Sequence, residues 1–186
     1  MKLVKGVLVA GAVLAANGVS ADMMSDINPI VGVDYYQAWM KGKNSFANSF
    51  PKSYPSATVY AGAKFLENFG AELGYNISAR KKHDLTKVRR SGGYLDLVGY
   101  LPVMESVDLT ASIGYGWIKT KIEPSSVFHA KNKGVFRLGV GANYMVTDMI
   151  GLRGKVSWEN TGALRVNSTK AFKDTIALAI GAFAKF

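Results

Sequence analysis

The chain has 186 residues, 20 of them glycine, with 23 lysines and arginines against 13 acids, no cysteine and a formal net charge of +10. That length and balance suit one folded domain and exclude a disordered or collagen-like chain. The absence of cysteine excludes a disulfide framework and the amino-terminal cysteine anchor of a lipoprotein.

The first element is an export signal. Lys2 and Lys5 precede an apolar run from Gly6 to Ala16, and Val19 and Ala21 supply the small residues a signal peptidase prefers. Residues 1–21 are therefore expected to be removed, leaving 22–186 as the mature domain. The apolar run is shorter than the roughly 18 residues a membrane-spanning helix needs, and no later segment is continuously apolar for longer.

Eight alternating segments follow. The first runs from Val31 to Trp39, with Val31, Val33, Tyr35 and Trp39 on the apolar register and Gly32, Asp34 and Tyr36 opposite. The stretch GAKFLENFGAELGY, residues 62–75, alternates on both sides of a polar break at Glu67 and Asn68, the signature of a tight hairpin joining segments two and three. The fourth segment covers Tyr94 to Leu101 and looks short. The fifth sets Val107, Leu109, Ala111, Ile113, Tyr115 and Trp117 against Asp108, Thr110, Ser112, Gly114 and Gly116. Val135 to Val146 forms the sixth, Ile150 to Glu159 the seventh, and Thr175 to Phe186 the eighth.

Most of these approach the 9 to 11 residues of a tilted strand that crosses a bilayer. Short turns follow the second, fourth and sixth segments, and loops of roughly a dozen residues are expected after the others, near the upper range for hairpins. Short and long ends thus segregate, as in an outer-membrane barrel with short periplasmic turns and long extracellular loops.

Period two alone does not say which register meets solvent, and a soluble lipocalin-like barrel would point the apolar one inward. Three features favour the reverse. Glycine fills the polar register, as at Gly32, Gly62, Gly74, Gly114, Gly139 and Gly181, which makes room for Tyr36, Tyr60, Tyr100 and charged groups inside a narrow cylinder. Trp39, Trp117 and Trp158 lie on the apolar register at the long-loop ends, while Phe65, Phe69, Tyr144 and Phe186 lie on it at the short-turn ends, matching two aromatic belts. The chain also closes on Phe186 at the end of a strand, with Gly181 before it.

With that ending, the GAKFLENFGAELGYN hairpin and VDLTASIGYGW, residues 27–186 resemble the small eight-stranded barrels of the outer-membrane protein A and X and opacity-protein type. The resemblance implies an all-β, antiparallel, up-and-down transmembrane barrel of a bacterial outer membrane, monomeric, surrounded by lipid and lipopolysaccharide and inserted by the barrel assembly machinery through its C-terminal strand. Ala184 departs from that C-terminal signal, standing where a second aromatic is usual. The periplasmic peptidoglycan-binding domain of outer-membrane protein A finds no match in these residues, so that anchoring role is not expected to carry over.

On the register assigned to the lumen stand Asp34, Glu72, Asp96, Asp108 and Glu159 with Lys64, Arg137, Arg153 and Lys155. Opposite charges in a tight space predict an ion-pair network, with Arg137 and Arg153 bridged by Glu72 and Asp96. Eight strands enclose little more than their own side chains, so the expected lumen is plugged; a narrow channel is the alternative. Neither His83 nor His129 has a serine partner at a recognisable spacing, and no dinucleotide, phosphate-loop or metal motif is present, so no enzymatic activity, cofactor or metal is expected. The segment ARKKHDLTKVRRSG sets Arg80, Lys81, Lys82, Lys87, Arg89 and Arg90 against the single acid Asp84. Such a loop suits polyanions, either lipopolysaccharide phosphates or host-surface glycans. It lacks the stacking aromatics of a nucleic-acid platform.

Overall fold

Glu67 and Asn68 form a tight turn, and the alternating residues on either side pair as antiparallel strands, with Lys64 opposite Gly70 and Ala57 opposite Ile77. This is the unit from which the molecule is built. The computed structural model describes residues 27–42, 53–79, 81–83, 86–123, 133–166 and 169–186. Residues 1–26, which hold the expected export signal, lie outside the described residues.

The described residues form nine strands: β1 (Asn28–Gly42), β2 (Ser53–Leu66), β3 (Phe69–Ser78), β4 (Lys81–His83), β5 (Thr86–Met104), β6 (Val107–Glu123), β7 (Lys133–Met145), β8 (Ile150–Val166) and β9 (Thr169–Lys185). Each pairs antiparallel with its neighbours, β9 pairs back onto β1 and β3 pairs onto β5, so the sheet closes. The short β4 pairs only with the start of β5 and extends the wall beyond β3, leaving eight strands around the barrel. Closure leaves the eight barrel strands paired on both sides, which is what permits strands in hydrocarbon.

The burial pattern settles the two-register question. Along β8, Gly151, Arg153, Lys155, Ser157 and Glu159 are buried, while Leu152, Val156 and Trp158 are exposed. Val33, Leu97, Leu101, Ile113, Val140 and Ile180 are likewise exposed, Val140 by 64%. A water-soluble barrel would have these side chains at its centre; here they form the outside.

Two connections differ from expectation. The segment predicted as a loop at 78–93 is largely β-structure, since Lys81 pairs with Val88, Lys82 with Lys87 and His83 with Thr86. β5 therefore has 19 residues rather than being short. The connection predicted between the last two segments is likewise a continued ladder, with Leu164 opposite Phe172 and Val166 opposite Thr169. Beyond the bilayer both faces of a strand can be polar, so the alternation that reveals a strand in the sequence disappears there while the backbone pairing continues.

Candidate functional site

The inward registers of β1, β3, β5, β7 and β8 bring seven charged side chains into one buried cluster: Asp34, Glu72, Asp96, Arg137, Arg153, Lys155 and Glu159. Arg153 donates from Nη1 to Glu72 Oε2 at 2.6 Å and from Nε to Asp34 Oδ1 and Oδ2 at 3.0 and 3.1 Å, with Nη2 also donating to Asp34 Oδ2. Arg137 donates from Nε to Asp96 Oδ1 at 3.2 Å and from Nη1 to Glu159. Lys155 Nζ donates to Asp96 Oδ2 at 2.8 Å, and Tyr36 OH donates to Glu159 Oε1.

The division of partners differs from the expected bridge. Glu72 and Asp96 are direct cross-strand neighbours, and Arg137 lies directly opposite Glu159. Each guanidinium therefore takes its own two acids: Asp34 and Glu72 for Arg153, Asp96 and Glu159 for Arg137. Lys64 stands apart, 5.2 Å from the centroid of the Tyr100 ring.

Tyr94 joins the two halves. Its hydroxyl donates to Glu72 Oε1 at 2.7 Å, while its ring lies 4.2 Å from Arg137 Cζ and 5.9 Å from Lys155 Nζ. Alternation from Asp96 puts Tyr94 inside, but nothing in the sequence marks it as the link. Tyr60 does a similar job under Arg153, whose Cζ lies 3.4 Å from the ring centroid. Guanidinium groups desolvated against aromatic faces gain from the ring quadrupole as well as from their carboxylates.

Glycine makes these positions possible. Gly32 pairs with Tyr60 and Gly74 with Tyr94 across adjacent strands, and in each case the ring occupies the space a Cβ would take. Asp96 lies against Gly114 and Asp34 against Gly181 in the same way. Rings covering cross-strand glycines restore packing that glycine otherwise forfeits. Beside Arg153 remain cavities of about 10 and 20 Å³, lined by Glu72 and Tyr100 among others, each room for little more than one water.

The outer face carries the aromatic residues. Trp39, Trp117 and Trp158 are exposed toward the long-connection end, and Phe65, Phe69, Tyr144 and Phe186 toward the short-turn end. Tyr35, Tyr75, Tyr115 and Phe136 share the outward face. The Trp117 ring lies across Gly93, its cross-strand partner. Tyr35 OH donates to Gln37 Oε1 at 2.9 Å and Gln37 Nε2 to Ser53 Oγ at 2.8 Å, a polar chain on the same wall.

Strand geometry splits the basic segment. Arg89 is exposed on the outward register, whereas Arg90 is buried on the inward one, because successive strand residues face opposite sides. Arg90 is therefore no part of a surface loop. Lys81 and Lys82 belong to β4 and Lys87 to β5, and Arg80 lies outside the described residues. Two other lysines, Lys41 on β1 and Lys119 on β6, are exposed on the outward register, Lys119 two residues beyond Trp117 and paired with Ser91. Among the described residues no group of three or more His, Asp or Glu side chains is placed to hold a metal ion.

A closed barrel with an aliphatic exterior, aromatic rings toward both ends and an ionic interior defines an outer-membrane β-barrel. A family model of the outer membrane protein β-barrel domain matches residues 7–182, and the chain belongs to that family and to a bacterial outer membrane. Solved structures share its fold. Neisserial surface protein A superimposes with a TM-score of 0.65 at 14% identity, covering 87% of this chain and 97% of that one. Ail, the attachment invasion locus protein of Yersinia pestis, gives 0.57 at 12% identity, covering 86% and 97%. OprG of Pseudomonas aeruginosa gives 0.59 at 12% identity, covering 86% and 95%. No curated protein matches the chain.

Proposed function

We propose that this protein is a monomeric, plugged barrel that serves as a structural and surface-interaction element, its basic outer wall contacting the phosphates of lipopolysaccharide. The observation that carries this reading is the exposed placement of Arg89 and Lys119 on the outward register beyond Trp117. Rings of that kind sit at headgroup level. Lys119 stands two residues beyond that ring, within the roughly 8 Å Debye length at physiological ionic strength, and Arg89, opposite Lys121, stands four residues beyond it, among the phosphate-bearing head groups. Short turns face the periplasm in this architecture, which puts β4 and the adjoining ends of β5 and β6 on the cell surface. The ion pairs and the water-sized cavities beside Arg153 support a lumen filled by side chains rather than a diffusion channel.

The closed barrel of this outer-membrane family supports insertion through the barrel assembly machinery. Binding of host-surface glycans is the second reading. It is favoured by a structure of Ail in complex with the heparin analogue sucrose octasulfate, a ligand of that protein, and by the positive charge of the surface-facing segments here.

The test is the double charge reversal Arg89→Glu, Lys119→Glu, scored for outer-membrane permeability to a bulky hydrophobic dye and for adhesion to glycan-coated surfaces. Raised permeability with unchanged adhesion is expected. Lost adhesion with intact permeability would transfer the role to host glycans.

A further inference from the structure

Arg90 is inside the barrel, 7% exposed, and its surroundings differ from those of the other fully buried cations. Arg137, Arg153 and Lys155 each hold a carboxylate. Among the described residues Arg90 has none: Nη1 donates to the Met40 thioether at 3.0 Å, and Cζ lies 5.6 Å from the Tyr54 ring centroid. Thioether sulfur is a weak acceptor, and a buried guanidinium without a charged partner is costly to desolvate. The acid Glu159 is already engaged by Tyr36 and Arg137.

The wall around Arg90 is built of hydroxyls. Tyr36 pairs with Ser56 and Ser56 with Ser78, and Ser78 Oγ accepts from the Arg90 amide at 2.7 Å, which leaves its own O–H free to donate. The Tyr36 hydroxyl is given to Glu159, so β2, β3 and β5 present two hydroxyls and one guanidinium on the long-connection side of the ion-pair cluster. Hydroxyl donors beside a cation that no described carboxylate holds are what an oxyanion requires. Met40, with its flexible unbranched side chain, can turn aside and yield its place on Nη1.

We infer that Arg90, with Ser78 and Ser56, forms an oxyanion site in the outer mouth of the lumen, taking a sulfate or phosphate group from the extracellular side in place of the Met40 thioether. The site is on the opposite face of the wall from Arg89 and Lys119 and does not depend on their contact with lipopolysaccharide.

The test uses the full-length mature protein in phospholipid nanodiscs free of lipopolysaccharide, with the Arg90 Nε–Hε resonance followed while inorganic sulfate or phosphate is titrated at constant ionic strength. A saturable shift is expected, and it should persist in Arg89→Glu, Lys119→Glu. It should disappear in Met40→Glu, which supplies an internal carboxylate to the same guanidinium; heat-modifiable gel mobility verifies that this variant is folded. In nanodiscs containing lipopolysaccharide, a resonance already displaced and insensitive to sulfate assigns the group to lipid, and one still responsive assigns it to a soluble ligand. No saturable shift in the unmodified protein, or a shift undiminished in folded Met40→Glu, would overturn the site.

Discussion

Arg153 Cζ lies 3.4 Å from the centroid of the Tyr60 ring, and that ring stands in the space that Gly32 leaves empty on the neighbouring strand. One glycine thus positions a tyrosine, the tyrosine backs a guanidinium, and the guanidinium gathers Asp34 and Glu72. A ring that only filled space could be replaced by any apolar group, whereas a cation needs the electron-rich face.

Gly32→Val and Gly74→Val should each destabilise the barrel by about 1–3 kcal/mol, because the new side chain displaces Tyr60 or Tyr94 in a packed interior. Gly154→Ala is the control. An added Cβ there meets nothing within 4 Å, so the exchange should be neutral or gain about 0.5–1 kcal/mol from the lower entropy of the unfolded chain. Urea unfolding in lipid vesicles ranks the three, and equal losses at all would remove the special status of the ring-covered glycines.

Arg153→Ala should cost about 3–5 kcal/mol, since it leaves Asp34 and Glu72 buried without their cation. Combining it with Asp34→Asn and Glu72→Gln removes the stranded charges and should recover part of that loss. The same unfolding measurement decides. A triple variant less stable than the single one would mean that the carboxylates are held by something other than Arg153.

Much of this was legible in the sequence because the bilayer enforces period two. Val107 to Trp117 alternates without a break and Val31 to Trp39 breaks only at Gln37, and hydrocarbon on one side drives most polar residues inward. The legible part ends where the membrane does. His83 pairing with Thr86 and Val166 with Thr169 continue strands that carry no alternation, so they read as loops. Arg89 and Arg90 were indistinguishable for the same reason: composition sees two adjacent cations, and only the strand phase separates an outer-wall residue from a buried one. Which acid each arginine takes was likewise hidden, since that depends on cross-strand register, which places Glu72 beside Asp96 and Arg137 beside Glu159. Tyr94 was missed because its role comes from spanning those two pairs.

Val140 lies midway along β7 on the exposed face, and Val146 lies beside the short turn. Val140→Arg should destabilise insertion by about 2–4 kcal/mol, while Val146→Arg, near the interface, should cost about 0–1 kcal/mol. Equilibrium unfolding from vesicles measures both. Equal costs would show that the two positions are at the same depth and that the aliphatic band is not centred where β7 crosses.

The ion-pair layer also bears on conductance. Arg137, Arg153 and Tyr94 stand across the middle of the lumen, each tied to a carboxylate from another strand, so an ion crossing the barrel must part bonds that are buried and charge-assisted. The unmodified protein in a planar bilayer is expected to give no large, steady current. Tyr94→Ala combined with Arg137→Ala removes the side chain that joins the two halves and one of the two guanidinium groups, and should give discrete openings at the same voltage, because water can then occupy the vacated volume between Glu72 and Glu159. Folding of the variant is verified by heat-modifiable mobility, so that leakage through damaged protein is separated from current through the lumen. A large, steady current from the unmodified protein would show that these bonds do not close the barrel, and the plugged reading would give way to a narrow channel.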